Sequence, residues 1–75
     1  MGHDDRILGT VTLWRDEKGT GRIMGDDGHE YFAIFSQVLG EGYRTLDVGQ
    51  RVRFRWKGAY HAHNRRAAVG IRVVD

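Results

Sequence analysis

The 75-residue chain contains no cysteine and no proline. Without cysteine there is no disulfide, no thiolate nucleophile and no sulfur-based zinc site, a composition that suits a reducing cytoplasm. No stretch approaches the ~20 apolar residues needed to cross a membrane. Met1 to Asp5 carry no apolar run of the kind a secretory signal requires. The expectation is a cytoplasmic protein with no membrane partner. Long helical periodicity is missing, as are internal repeats and low-complexity segments. The length allows one small domain, expected over residues 7–75 behind a short tail of residues 1–6.

What is present points to strands. Eleven glycines accompany β-branched and aromatic residues, the composition of short strands joined by tight turns. Strand-like runs cover Arg6 to Trp14, Thr20 to Met24, Glu30 to Phe35, Gln50 to Lys57 and Ala67 to Val74. Asp16 to Gly19 and Gly25 to Gly28 read as polar turns. Ser36 to Leu39 has room for one helical turn, and Gly58 to Arg65 reads as a polar loop. Five short strands at regular spacing predict an all-β, five-stranded antiparallel barrel of the oligonucleotide/oligosaccharide-binding (OB) class. Alternation makes Val11, Val52, Phe54, Val69, Ile71 and Val73 core candidates, with Trp56 in the core or at its rim.

Charge is unevenly spread. Residues 1–47 hold 5 basic and 9 acidic side chains; residues 48–75 hold 7 basic and 1 acidic. The second half therefore suits an anionic partner. Within it Arg51, Arg53, Arg55 and Lys57 alternate with Val52, Phe54 and Trp56, which puts all four cations on one strand face. Two readings stand: a phosphate track, or a solvated face paired to acids on a neighbouring strand. Arg65, Arg66 and Arg72 are positioned to extend it.

One run is more specific. Lys18-Gly19-Thr20-Gly21-Arg22-Ile23 is followed by Asp27-Gly28, Glu30, Phe32 and Phe35-Ser36, and then by Gly42-Tyr43-Arg44-Thr45-Leu46, Gly49-Gln50, Val52 and Phe54. In order and spacing these blocks resemble the bacterial cold-shock domain across roughly residues 7–74. The resemblance implies a barrel that binds single-stranded DNA or RNA, acts as a nucleic-acid chaperone or regulator, and has no catalytic site. It also implies a binding face on the second and third strands, where aromatics stack on bases and lysines meet phosphates.

The carry-over is uneven. The first-strand stacking position holds Leu13, with Trp14 beside it as either a stacking residue or a barrel cap. The first ribonucleoprotein motif keeps Lys18, Gly19, Gly21 and Ile23 but has Thr20 and Arg22 at its two aromatic positions. In the second motif Phe32 and Phe35 match, Ile34 replaces a histidine, and Tyr31 and Ala33 replace two valines. Tyr43 retains an aromatic in the following loop. Alternation sends Thr20 and Arg22 outward, with Phe32 and Ile34 on the matching face and Tyr31 and Ala33 inward. Stacking contributes ~1–3 kcal/mol per base, so three platforms without a π-face predict weaker binding. A guanidinium at Arg22 compensates in part.

Other candidates are weaker. His61 and His63 form a loop pair without a defined third ligand, so no metal is expected. Asp16-Glu17 and Asp26-Asp27 sit in turns, where aspartate favours local backbone hydrogen bonds. Gly19 and Gly21 precede no helix and form no cofactor loop. The expected function is binding of single-stranded RNA or DNA, without cofactor or catalysis. The alternative is a barrel that has exchanged nucleic acid for a protein partner, docked on Leu13, Phe32 and Ile34.

Overall fold

Alternating strands and glycine-bearing turns close into a barrel in the computed structural model of the chain, which describes residues 6–40, 45–60 and 65–74. Strand β1 spans Ile7–Arg15, β2 Thr20–Gly25, β3 Glu30–Ile34, β4 Arg51–Tyr60 and β5 Arg65–Val73. The order around the ring is β1-β2-β3-β5-β4. Strand β2 therefore lies across the barrel from the β4–β5 contact. Four contacts are antiparallel, while β3 and β5 run parallel through Tyr31↔Arg66 and Phe32↔Ala67. A ring with an odd number of strands cannot alternate direction all the way round, so one parallel seam is unavoidable.

The expected turns form where glycine permits them. Gly19 and Gly28 have φ of 65° and 88°, the left-handed region that costs glycine least. The helical turn is a 3-10 turn at Phe35–Gln37, one residue earlier than expected. The polar loop is shorter than expected. After a register shift between Lys57 and Ala59 the hairpin continues through Ala59↔Arg66 and Tyr60↔Arg65. His61, His63 and Tyr43 lie outside the described residues.

Val11, Ile23, Tyr31, Ala33, Val52, Phe54 and Ile71 form the centre of the core, joined by Val38, Leu46 and Ala68. Tyr31 and Ala33 point inward as alternation predicts. The Tyr31 and Phe54 rings meet edge to face at 4.8 Å and 66°, a geometry worth about 0.5–1.5 kcal/mol beyond area burial. The hydroxyl of Tyr31 reaches past the core to donate a short hydrogen bond to Asp27, whose other carboxylate oxygen accepts the His29 N–H. The Tyr31 hydrogen bond leads in holding the Asp27 carboxyl below its usual range. Burial, then the Asp27 contact, pushes the Tyr31 phenol up to about 12.

Two core expectations, Val69 and Val73, fail on β5, while Trp56 takes the rim, one of the two places expected for it. Val73 is 43 % exposed and Trp56 is 40 % exposed, while Val69 is only half-buried. Between Arg53 and Arg55 the pairing slips, so that Arg53 faces Arg72 and Arg55 faces Val69. The extra β5 residue is accommodated at Gly70, whose φ is 60°. A glycine bulge of this type resets the alternation, so Ala68 takes the core position in place of Val69, alongside Ile71, which is buried as expected. Trp56 stays at the rim, with the Arg66 guanidinium 4.4 Å from its ring centroid.

Candidate functional site

A second irregularity builds the candidate binding face. Strict alternation from buried Val11 would send Leu13 inward. Instead Val11 pairs with Ile23 and Leu13 pairs with Arg22, leaving Thr12 as the extra residue. The Thr12 hydroxyl donates to the Arg22 carbonyl at 3.3 Å, which anchors the bulge. Leu13 thereby joins the outer face, and Trp14 takes the inner position opposite Gly21.

Register then fixes a small grid. Leu13, Arg22 and Phe32 form one cross-strand row, and Arg15, Thr20 and Ile34 form the next. A shallow concavity of about 280 Å³ runs from Leu13 and Arg15 across Thr20 and Arg22 to Phe32, with Lys18 contributing from the turn. Phe35, 48 % exposed, stands at the start of the 3-10 turn. Its backbone N–H donates to the Gly19 carbonyl at 2.8 Å, which keeps it beside the Lys18–Gly19 turn.

The structure thus brings together Leu13, Lys18, Thr20, Arg22, Phe32, Ile34 and Phe35. Arg15 also lies on this face, although the sequence pattern ends the strand at Trp14. The bulge, invisible to simple alternation, is what extends the face to it. Trp14 does not join the face. It packs against the core, and its indole N–H donates to Asp16 Oδ1 at 2.8 Å, the same oxygen that accepts from the Thr45 hydroxyl at 2.9 Å. That arrangement makes Trp14 a cap. Gly21 is required beneath it, since a Cβ there would meet the Leu13 carbonyl and come within 2.6 Å of the indole.

The electrostatics of the face are lightly restrained. Arg22 approaches Glu30 at 3.8 Å, both side chains well exposed. A pair of that kind contributes about 0–1 kcal/mol, so an incoming phosphate can compete for the guanidinium.

The four fourth-strand cations do not form one set. Arg51 donates to both Asp26 oxygens, at 3.0 and 2.7 Å, and to the Thr10 hydroxyl at 2.8 Å. The Arg51 hydrogen bond holds the Asp26 carboxyl below its usual range. For this residue the pairing with an acid on a neighbouring element is the correct reading, and it leaves the proposed track. Arg53 and Arg55 are exposed and have no carboxylate partner among the described residues. Lys57 continues β4, with its backbone opposite Ala67.

Among the described residues no group of three or more His, Asp or Glu is placed to hold a metal ion. Nor is any helix there long and apolar enough to cross a membrane.

Comparison with known proteins agrees with this geometry. A family model described as the 'Cold-shock' DNA-binding domain matches residues 7–74. Cold shock protein 1 of Lactiplantibacillus plantarum is 44% identical over 46 residues, covering 61% of this chain and 70% of that protein. Cold shock-like protein CspLB of Listeria monocytogenes is 48% identical over 46 residues, with the same 61% and 70% coverage. Among solved structures, drosophila Unr CSD456 superposes with a TM-score of 0.73 at 22% identity over 93% of this chain and 27% of that one. At that identity the likeness speaks to the fold.

Proposed function

The chain belongs to the 'cold-shock' DNA-binding domain family, one of nucleic-acid-binding proteins rather than enzymes, and we propose that it binds single-stranded RNA or DNA through the grid on β1, β2 and β3. The observation that carries this reading is the row Leu13–Arg22–Phe32. It sets a cation between two apolar side chains, the spacing that lets a base rest on the ring while its phosphate meets the guanidinium. Lys18 and Arg15 extend the phosphate contacts, and Phe35 supplies a second platform. The same row weighs against a protein-docking patch on Leu13, Phe32 and Ile34, because Arg22 interrupts it.

Binding is weaker and more electrostatic than a full aromatic set provides. Leu13, Thr20 and Ile34 offer no π-face, and each missing platform costs about 1–3 kcal/mol. Sequence preference is correspondingly slight, since every base can stack. The test is titration of a seven-residue oligothymidine, followed by tryptophan emission, at 50 and 200 mM salt. Affinity falls with salt, and Phe32→Ala weakens it by roughly 5- to 150-fold, the equivalent of one platform. Binding indifferent to both salt and Phe32 would overturn the assignment.

A further inference from the structure

A larger concavity than the one on this face lies elsewhere on the barrel. It is an open groove of about 510 Å³ across β4 and β5, where Arg6, Arg53, Arg55 and Arg72 surround Val69 and Gly70. By strand order it sits on the far side of the barrel from β2, the centre of the proposed base-binding grid.

Three observations converge there. First, Arg53 and Arg72 are direct cross-strand partners. Like charges directly opposite destabilise a sheet, and no carboxylate among the described residues pairs with Arg53, Arg55 or Arg72. Second, the groove has a constructed floor. Gly70 occupies the bulge at φ 60°, where a Cβ would find only Leu39 at 4.0 Å, and its N–H is held by Gln37 Oε1 at 3.3 Å. The bulge is also what brings Arg72 opposite Arg53. Third, the lining offers no exposed ring. Phe54 lines the groove but is 1 % exposed, so the groove recognises charge and shape without stacking.

We propose that Arg53, Arg55 and Arg72, with Arg6 at the groove edge, form a second site that binds the sugar–phosphate backbone of nucleic acid and ignores its bases. The choice of nucleic acid as the polyanion rests on the function proposed above. The guanidiniums contribute forked donors suited to phosphate oxygens, and the ligand relieves the repulsion between Arg53 and Arg72. A molecule occupied on both sides holds two backbone segments against opposite walls of one barrel.

The test uses an abasic twelve-residue single strand, a sugar–phosphate chain without bases, beside the seven-residue oligothymidine. Three phosphate contacts on a single strand give a salt slope near −2, or roughly a 20-fold loss of affinity between 50 and 200 mM salt. The double variant Arg53→Gln/Arg72→Gln removes two contacts and brings the slope for the abasic strand to about −0.7. Phe32→Ala leaves abasic binding unchanged while weakening oligothymidine. Because the double variant also removes a like-charge pair, its thermal midpoint without ligand is equal to or above that of the wild type. A lower midpoint would mean the arginines are internally satisfied and would overturn the proposal. So would an unchanged salt slope, or no abasic binding at all. A twelve-residue polyglutamate bound as tightly as the abasic strand would assign the groove to acidic protein instead. If the abasic strand binds and oligothymidine gains nothing from its bases, the base-binding reading fails and the backbone site stands. If oligothymidine gains from its bases and the abasic strand does not bind, the backbone site fails and the base-binding reading stands.

Discussion

Arg51 grips Asp26 with both terminal nitrogens, Nη1 to Oδ1 at 3.0 Å and Nη2 to Oδ2 at 2.7 Å. The pair ties the start of β4 to the β2–β3 turn, and the added bond to Thr10 brings in β1. Arg51 is thus a fastening between elements, in contrast to Arg53 two residues on.

Arg51→Gln is therefore expected to lower the thermal midpoint at neutral pH while leaving oligothymidine affinity within about twofold of wild type. The pH dependence separates this from a general defect. Asp26 has a folded-state pKa below its ordinary value. Its contribution is present above the unfolded pKa and is lost as pH falls through the folded one. The two midpoints converge in acid, as thermal melts across the carboxylate range can check.

Restoring rings to the depleted positions should strengthen base binding. Thr20 and Leu13 are half-buried on the outer face and line its concavity. Thr20→Phe and Leu13→Trp are each expected to tighten oligothymidine by about 1–3 kcal/mol, roughly 5- to 150-fold. Neither should alter affinity for the abasic strand. Titration of both ligands against both variants checks this directly.

At high pH the weak point is Tyr31. Its phenol is raised to about 12 in the fold against an ordinary value of about 10. Between those values the unfolded chain has lost its proton while the folded one keeps it, so stability falls as pH rises through the interval. Tyr31→Phe removes that dependence and also the hydrogen bond to Asp27. Urea midpoints from pH 9 to 12 should decline for wild type more steeply than for the variant, which starts lower.

Gly21→Ala probes the close approach of β1 and β2. The added Cβ meets the Leu13 carbonyl and the Trp14 ring, and overpacking of this kind costs about 1–3 kcal/mol. A lower urea midpoint with an unchanged slope is expected, together with a shift in tryptophan emission as the cap is displaced.

The contrast between what alternation predicts and what the barrel contains is clearest at the bulges. Period-2 alternation places Tyr31 and Ala33 correctly because the β2–β3 pairing runs without a shift around them. It misplaces Val69 because Gly70, one glycine among eleven, resets the phase, while Val73, in phase with buried Ile71, is exposed where β5 ends. Leu13 reaches the outer face through the family resemblance, while alternation alone points it inward; the extra residue at Thr12 reconciles the two. Arg51 and Arg53 are indistinguishable in a run of alternating cations. Their different roles depend on Asp26, which is 25 residues from Arg51 in the chain and is brought to it only by the barrel.

The parallel seam has a consequence of its own. It joins β3 to β5 through two residue pairs, Tyr31↔Arg66 and Phe32↔Ala67, whereas the antiparallel contacts are longer. The barrel's shortest joint therefore runs beside Phe32, the side chain assigned to carry a base. On the site proposed above, an occupant resting on Phe32 lies beside this short joint and adds contacts next to it.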